Sequence, residues 1–273
     1  MSGSIFGNIS THCPVIREHP LNQGRIAWWL PIPGRMGGST LFDLMGQYPA
    51  AAFNGPIWDA KGLRYTSASS QYMQAPAPGL GTLNEFTFAA RFTMPSLAGH
   101  YSSLVNRFAS FDGGDVNRLR LGLSPAGYYC DGKSCFALVT DAPPGLAAGV
   151  ECLAVFTVSA APGTGWAVPT IYHNGVALAT TFLISSGVAN NTAGMPFWLG
   201  TDKDQNYADL WIGEASIWSR ALSAPEVAQL WAESRNGYPN LLRRSKGFIP
   251  AFGPSGFRPA WLKSTAVLGS GIY

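Results

Sequence analysis

The segment Phe86-Thr-Phe-Ala-Ala-Arg-Phe-Thr-Met94 alternates strictly, with Phe86, Phe88, Ala90, Phe92 and Met94 on one side and smaller or polar residues on the other. A period of two is the pattern of a β-strand with one buried face. It predicts a half-buried strand, and the rest of the chain repeats the theme in shorter pieces. Strand-like runs occur at Arg25–Leu30, Leu63–Thr66, Gln71–Gln74, Tyr101–Phe108, Asn117–Leu123 and Phe136–Thr140. They continue at Cys152–Ser159, Pro169–Tyr172, Val176–Phe182, Phe197–Gly200 and Ala208–Trp218. Gly and Pro punctuate them: 32 Gly and 20 Pro without any period, which signals turns rather than a repeat. Asn174-Gly175 between two such runs predicts a tight hairpin, because a two-residue type I′ loop needs positive φ at both positions.

One helix is predicted. Ser223 and Glu226 have capping-box spacing, Val227, Leu230 and Trp231 follow at helical spacing, and Asn236-Gly237 ends the segment before Pro239. A dozen short strands with one helix make an all-β domain. At 273 residues the chain is compatible with a single large sandwich. Residues 1–24 and 238–273 lack periodicity and are predicted to be extended N- and C-terminal arms around a body of residues 25–237.

Charge is distributed unevenly. No acidic residue follows Glu233, whereas Arg235, Arg243, Arg244, Lys246, Arg258 and Lys263 do. Removing those six from the 18 basic residues leaves 12 against 15 acidic ones, a mildly acidic body with a basic tail. In the tail the charges alternate with Phe248, Phe252, Phe257 and Trp261, so docking on protein is expected in preference to nucleic acid. No apolar run approaches the ~18 residues of a membrane span. The first residues lack a basic region followed by an apolar stretch, so synthesis in a cytoplasm without a secretory signal is expected. Cys130 and Cys135 flank a turn-like stretch, which leaves reduced thiols and a short disulfide both open. A zinc site would need a second close pair that Cys13 and Cys152 do not supply.

The chemistry-bearing residues are sparse. Two-carboxylate glycoside hydrolysis places acid and nucleophile about 5–5.5 Å apart, as neighbours on a strand face would be. The six Glu (18, 85, 151, 214, 226 and 233) offer no such pair. Glu214, alone among apolar residues, reads as a satisfied buried carboxylate, and His173 as a surface residue at a hairpin tip. No catalytic residue is assigned. Asp202, Asp204 and Asn206 alternate oxygen ligands and are the candidate Ca2+ site, short of the six to eight oxygens calcium takes. Asp112 and Asp115 offer two further carboxylates. Tyr207 and Trp211, beside the first loop, are the candidate sugar-stacking rings.

Several of these segments resemble one family. Ile26-Ala-Trp-Trp-Leu30 with Leu41-Phe-Asp-Leu-Met-Gly46, Leu63-Arg-Tyr-Thr with Tyr72-Met, and Ile171-Tyr-His-Asn-Gly-Val176 are similar to laminin-G-like jelly-roll domains of the concanavalin A-like superfamily. So is Asp209-Leu-Trp-Ile-Gly-Glu-Ala-Ser-Ile-Trp-Ser-Arg-Ala-Leu-Ser-Ala-Pro-Glu-Val227, the most specific piece. The resemblance spans about residues 25–236. It departs at Gly46-Gln-Tyr48, where the family has Gly-Asn, and at Gly213, where many members have Asp. It implies a jelly-roll β-sandwich, often with calcium in rim loops. The domain-plus-arm layout, with the tail from Tyr238 to Pro250, resembles phage virion proteins. The expected function is therefore a non-enzymatic virion structural protein, a capsid decoration or tail-associated subunit. It would be anchored to other virion proteins and to copies of itself by an arm containing Arg243, Arg244, Phe248, Phe252, Phe257 and Trp261. The alternative is a lectin-like module for host-surface glycan, with the calcium dependence that the resemblance implies; glycoside hydrolysis is the third option.

Overall fold

The computed structural model describes residues 15–30, 39–59, 61–76, 82–83, 85–96, 106–112, 118–124, 127–132, 136–138, 143–160, 167–182, 190–191, 194–201, 207–236, 238 and 240–242. In chain order the strands are β1 Arg25–Trp29, β2 Thr40–Leu41, β3 Ala50–Phe53, β4 Ile57–Asp59, β5 Gly62–Tyr65, β6 Tyr72–Ala75, β7 Thr82–Leu83, β8 Phe86–Thr93, β9 Asn106–Asp112 and β10 Arg118–Ser124. They continue as β11 Gly127–Gly132, β12 Phe136–Leu138, β13 Glu151–Ala160, β14 Ala167–His173, β15 Val176–Ala177, β16 Thr181–Phe182, β17 Asn190–Asn191, β18 Phe197–Leu199 and β19 Leu210–Trp218, followed by helix α1, Ala224–Arg235.

Two large antiparallel sheets form a sandwich. One runs β15-β14-β13-β8-β19-β5-β4, with β1 also paired to β19; the other runs β16-β12-β11-β10-β9-β18-β6-β3-β2. Between them lies the main core, which takes Phe86, Phe88, Ala90, Phe92 and Met94 as the alternation requires. The expectation of a half-buried β8 needs correcting, because every residue of the strand is buried. Its outward residue Ala89 belongs to a second apolar cluster with Leu21, Trp28, Trp218, Val227, Leu230, Tyr238 and Leu241. Alternation reports two faces but not what covers the second. Here the cover is α1 together with segments from both ends of the chain.

Those segments correct the arms as well. Residues 20–22 form a 3-10 turn, Val15 bridges Leu242, and Leu21, Tyr238 and Leu241 are buried. The inner parts of both arms are thus folded into the body, and 1–14 and 243–273 lie outside the described residues. Six strands escaped sequence reading, β2, β3, β4, β7, β11 and β17, and the run Val176–Phe182 splits between the two sheets as β15 and β16. Cys130, read as flanking a turn, lies within β11; Cys130 and Cys152 are buried thiols of the main core, and Cys13 and Cys135 lie outside the described residues.

Local signals were obeyed closely. Asn174 and Gly175 have φ of 51° and 84° in the tight turn joining β14 to β15. Ser223 N–H donates to Glu226 Oε2 at 2.8 Å, completing the capping box of α1. Asp43 organises the loop after β2: its carboxylate accepts from the backbone N–H groups of Trp28, Met45, Gln47 and Tyr48 at 2.7–3.0 Å. No helix among the described residues is long and apolar enough to cross a membrane.

His173 is no surface residue. It is 3% exposed and faces across the sandwich, with Nδ1 2.8 Å from the Tyr128 hydroxyl of the opposite sheet. Burial pushes its pKa down to about 4. The unfolded chain, with an ordinary His value near 6.5, therefore binds a proton that the folded one refuses. Stability contributed by the neutral ring is present above that value and is lost as pH falls from about 6.5 to about 4. Wild type is expected to lose about 2 kcal/mol between pH 7 and pH 5 from this group. Urea denaturation at the two pH values, compared with His173→Gln, checks it; an unchanged difference in the variant counts against the assignment.

Candidate functional site

The second apolar cluster covers the outer face of the β8 sheet. The nine-stranded sheet differs at β3, β6 and β18: the outward residues Ala51, Phe53, Tyr72, Gln74 and Trp198 are exposed or half-buried, whereas Tyr129 on β11 is buried. Strand alternation puts them there, since Ala50, Met73, Ala75, Phe197 and Leu199 point into the main core. Three of the outward side chains are aromatic, from strands adjacent in space but far apart in sequence. Phe53 pairs with Tyr72 in register, and Trp198 pairs with Gln74 one step along.

These rings form a column across three strands. Phe53 and Tyr72 stack with centroids 4.6 Å apart and planes 5° from parallel. On the opposite side Tyr72 meets Trp198 at 5.3 Å, and Tyr207 approaches at 6.2 Å, both tilted by about 30°. Tyr72 is therefore enclosed by rings, while Phe53, 37% exposed, ends the column. Burial, and then the neighbouring phenol of Tyr207, push the Tyr72 pKa up, so its hydroxyl stays protonated at neutral pH and can donate. The Trp198 indole N–H is buried without a hydrogen-bond partner. The exposed face of Phe53 and the protonated phenol of Tyr72 are the groups a polyol with apolar C–H faces can engage.

The two rings singled out from sequence separate. Tyr207 joins the column, whereas Trp211 projects from β19 on the other sheet, flanked by Lys61 at 4.6 Å and Arg64 at 4.3 Å. Arg64 in turn binds Asp209 at 2.6 Å. Phe53, Tyr72 and Trp198 were missed as ligand candidates. The one local clue was an aromatic alternating with Gln74 on the polar side of β6. Asp202, Asp204 and Asn206 lie outside the described residues, as do Asp115 and the arm residues Arg243, Arg244, Phe248, Phe252, Phe257 and Trp261. No group of three or more His, Cys, Asp or Glu suited to a metal occurs among the described residues.

Glu214 sits on the covered face and is 1% exposed. It accepts from Trp28 Nε1 at 2.9 Å, and its second oxygen lies 4.0 Å from Arg91 Nε. Arg91 reaches Glu151 at 3.3 Å and the carbonyl of Gly213 at 3.2 Å, where β19 bulges. Burial drives the Glu214 pKa up against the pull of Arg91 and Arg25. Arg25 lies between the rings of Trp28 and Trp218, at 4.0 and 4.4 Å. Burial lowers its pKa to about 9 against the charge of Glu214, which leaves it a cation at pH 7. This is a closed structural cluster, but the carboxylate is only half satisfied, because Glu214 Oε2 and the Arg25 guanidinium nitrogens are buried without hydrogen-bond partners.

Among solved structures the fold is similar to the sialidase of Trypanosoma rangeli, with TM-score 0.55, 13% identity, and coverage of 77% of this chain and 33% of that one. It is also similar to the receptor-binding domain of a botulinum neurotoxin mosaic of serotype C/D, with TM-score 0.53, 11% identity, and coverage of 79% of this chain and 52% of that one. The chain thus spans about a third of the sialidase and about half of the toxin domain, and the likeness is one of fold. No curated protein sequence matches. A family model of the laminin-G type matches residues 67–228, which include β8, the β14–β15 hairpin, β19 and the start of α1. The chain belongs to the concanavalin A-like lectin/glucanases superfamily.

Proposed function

We propose that this chain is a non-enzymatic carbohydrate-binding sandwich that holds glycan against the aromatic column on the outward face of β3, β6 and β18. The carrying observation is the convergence of Phe53, Tyr72, Trp198 and Tyr207 on that face. Superfamily membership and the receptor-binding title of the toxin neighbour support the same reading. The non-enzymatic part is supported by Glu214, which is buried and engaged by Trp28 instead of facing a substrate. A pyranose needs a ring face. Both faces of Tyr72 are covered, so the stacking partner is Phe53 at the open end, with the Tyr72 hydroxyl as a polar handle.

Phe53→Ala is expected to weaken glycan binding about 10- to 100-fold, or about 1.4–2.8 kcal/mol. Tyr72→Phe, which keeps the stack, is expected to cost less. A broad glycan array identifies the ligand and titration calorimetry measures both variants. An array left blank by folded protein would sink the proposal. It is run with and without EDTA, because Asp202, Asp204 and Asn206 immediately precede Tyr207; loss of binding on chelation would place Ca2+ at the site.

A second reading, compatible with the first, is the virion assembly subunit anchored by its arms, with synthesis in the host cytoplasm. The observation favouring it is that Val15 and Leu242 are paired, so both arms leave the body at one place. Deleting 243–273 keeps every described residue. The shortened chain is expected to be soluble and monomeric where the full chain oligomerises, as read by size-exclusion with mass measurement. Assembly that survives the deletion removes the role of the C-terminal arm.

A further inference from the structure

We propose that the two segments around Asn22 and Leu241 are locked into a single clasp, closed by Asn22, that opens as one unit and holds the body by its covered face. Asn22 is 4% exposed, and its side-chain amide donates to Ile16 O at 2.9 Å and to Leu241 O at 3.3 Å. One side chain thereby ties the first described segment to the last, across a separation of 219 residues. Ile16 N–H donates to the same Leu241 carbonyl at 2.9 Å, and Val15 bridges Leu242.

Each side of the clasp is also fixed to the body. Trp218 Nε1 donates to Leu21 O at 2.7 Å, and Arg220 donates to Pro20 O and Gln23 O at 2.9 Å. On the other side Asn240 donates to Glu233 at 2.6 Å, and Tyr238 packs edge-on against Trp28 with centroids 5.0 Å apart. Neither segment can lift alone without stranding buried partners of the other: the Asn22 amide and the Leu241 carbonyl would lose bonds inside an apolar cluster. Such mutual dependence makes a cooperative unit that opens with one free energy. Val15 and Leu242 pack against the second apolar cluster, and the aromatic column lies on the outer face of the other sheet. Anything that holds either end therefore leaves that column turned away from it. The clasp does not depend on what the column binds.

Native-state hydrogen exchange on the full chain, in a low-denaturant series, tests this. The amides of Ile16, Leu241 and Leu242 are bonded across or within the clasp. They are expected to share one opening free energy and one denaturant dependence in the wild type. Asn22→Leu, which keeps the bulk and removes both bonds, is expected to speed exchange about tenfold or more, by a common factor on both segments. Different opening energies in the wild type, or acceleration confined to residues 15–24, overturn the proposal. The wild-type comparison decides even if the variant fails to fold.

Discussion

Gly62→Ala is expected to destabilise the protein by about 3 kcal/mol or more, through backbone overlap combined with an unfavourable φ. Gly62 opens β5 opposite Asp59, with φ +120°. A Cβ there would lie 2.4 Å from the Ile212 carbonyl oxygen and 2.7 Å from Gly213 Cα, backbone atoms that cannot swing aside. The strand pair β5–β19 has to separate at the bulge to accept it, which also disturbs the Gly213 carbonyl held by Arg91. Gly145→Ala is the control: its φ is +82°, but nothing lies within 4 Å of its added Cβ. It should incur only the conformational cost, of the order of 1 kcal/mol. Thermal and urea unfolding of the two variants separate the terms. Equal losses would refute close approach to the bulge as the reason for Gly62.

Glu214→Ala is expected to cost about 3–5 kcal/mol, the range for removing one partner of a buried ionic cluster. It takes the acceptor from Trp28 Nε1 and the carboxylate from between Arg91 and Arg25, both nearly inaccessible to water. Glu214→Gln keeps an oxygen for the indole and removes the charge, so it should fall between alanine and wild type. The same unfolding measurements read both. A loss below about 1 kcal/mol for alanine would mean that solvent relieves the cluster, contrary to its observed closure.

Where the sequence was legible, one short stretch carried the whole physical cause. The Asn174-Gly175 turn, the Ser223–Glu226 cap and the inward Phe86, Phe88 and Phe92 needed only local geometry, and the superfamily followed from strung-together local motifs. The errors share the opposite character. The burial of β8 on both sides depends on Leu21, Val227 and Tyr238, none of them near it in sequence. His173 lies at a hairpin as read, but whether that hairpin faces water depends on Tyr128 in the other sheet. Tyr207 and Trp211 are four residues apart yet serve different sheets, because β19 begins between them. The column of Phe53, Tyr72 and Trp198 exists only through the pairing of β3, β6 and β18, which periodicity within each strand does not reveal.

The two-sided burial of β8 has a consequence for how the protein is made. Translation delivers Phe86–Thr93 well before β19, α1 and residues 238–242, which later flank or cover it. Until those arrive, the nascent chain carries an aromatic β-prone stretch with neither face protected, a segment of the kind that nucleates aggregation. Pairing with β13 and β19 is long-range, so closure is slow relative to local structure. Arg91 is the lone charge in that stretch. A charge within such a stretch opposes self-association, and the finished fold then buries this one beside Glu214.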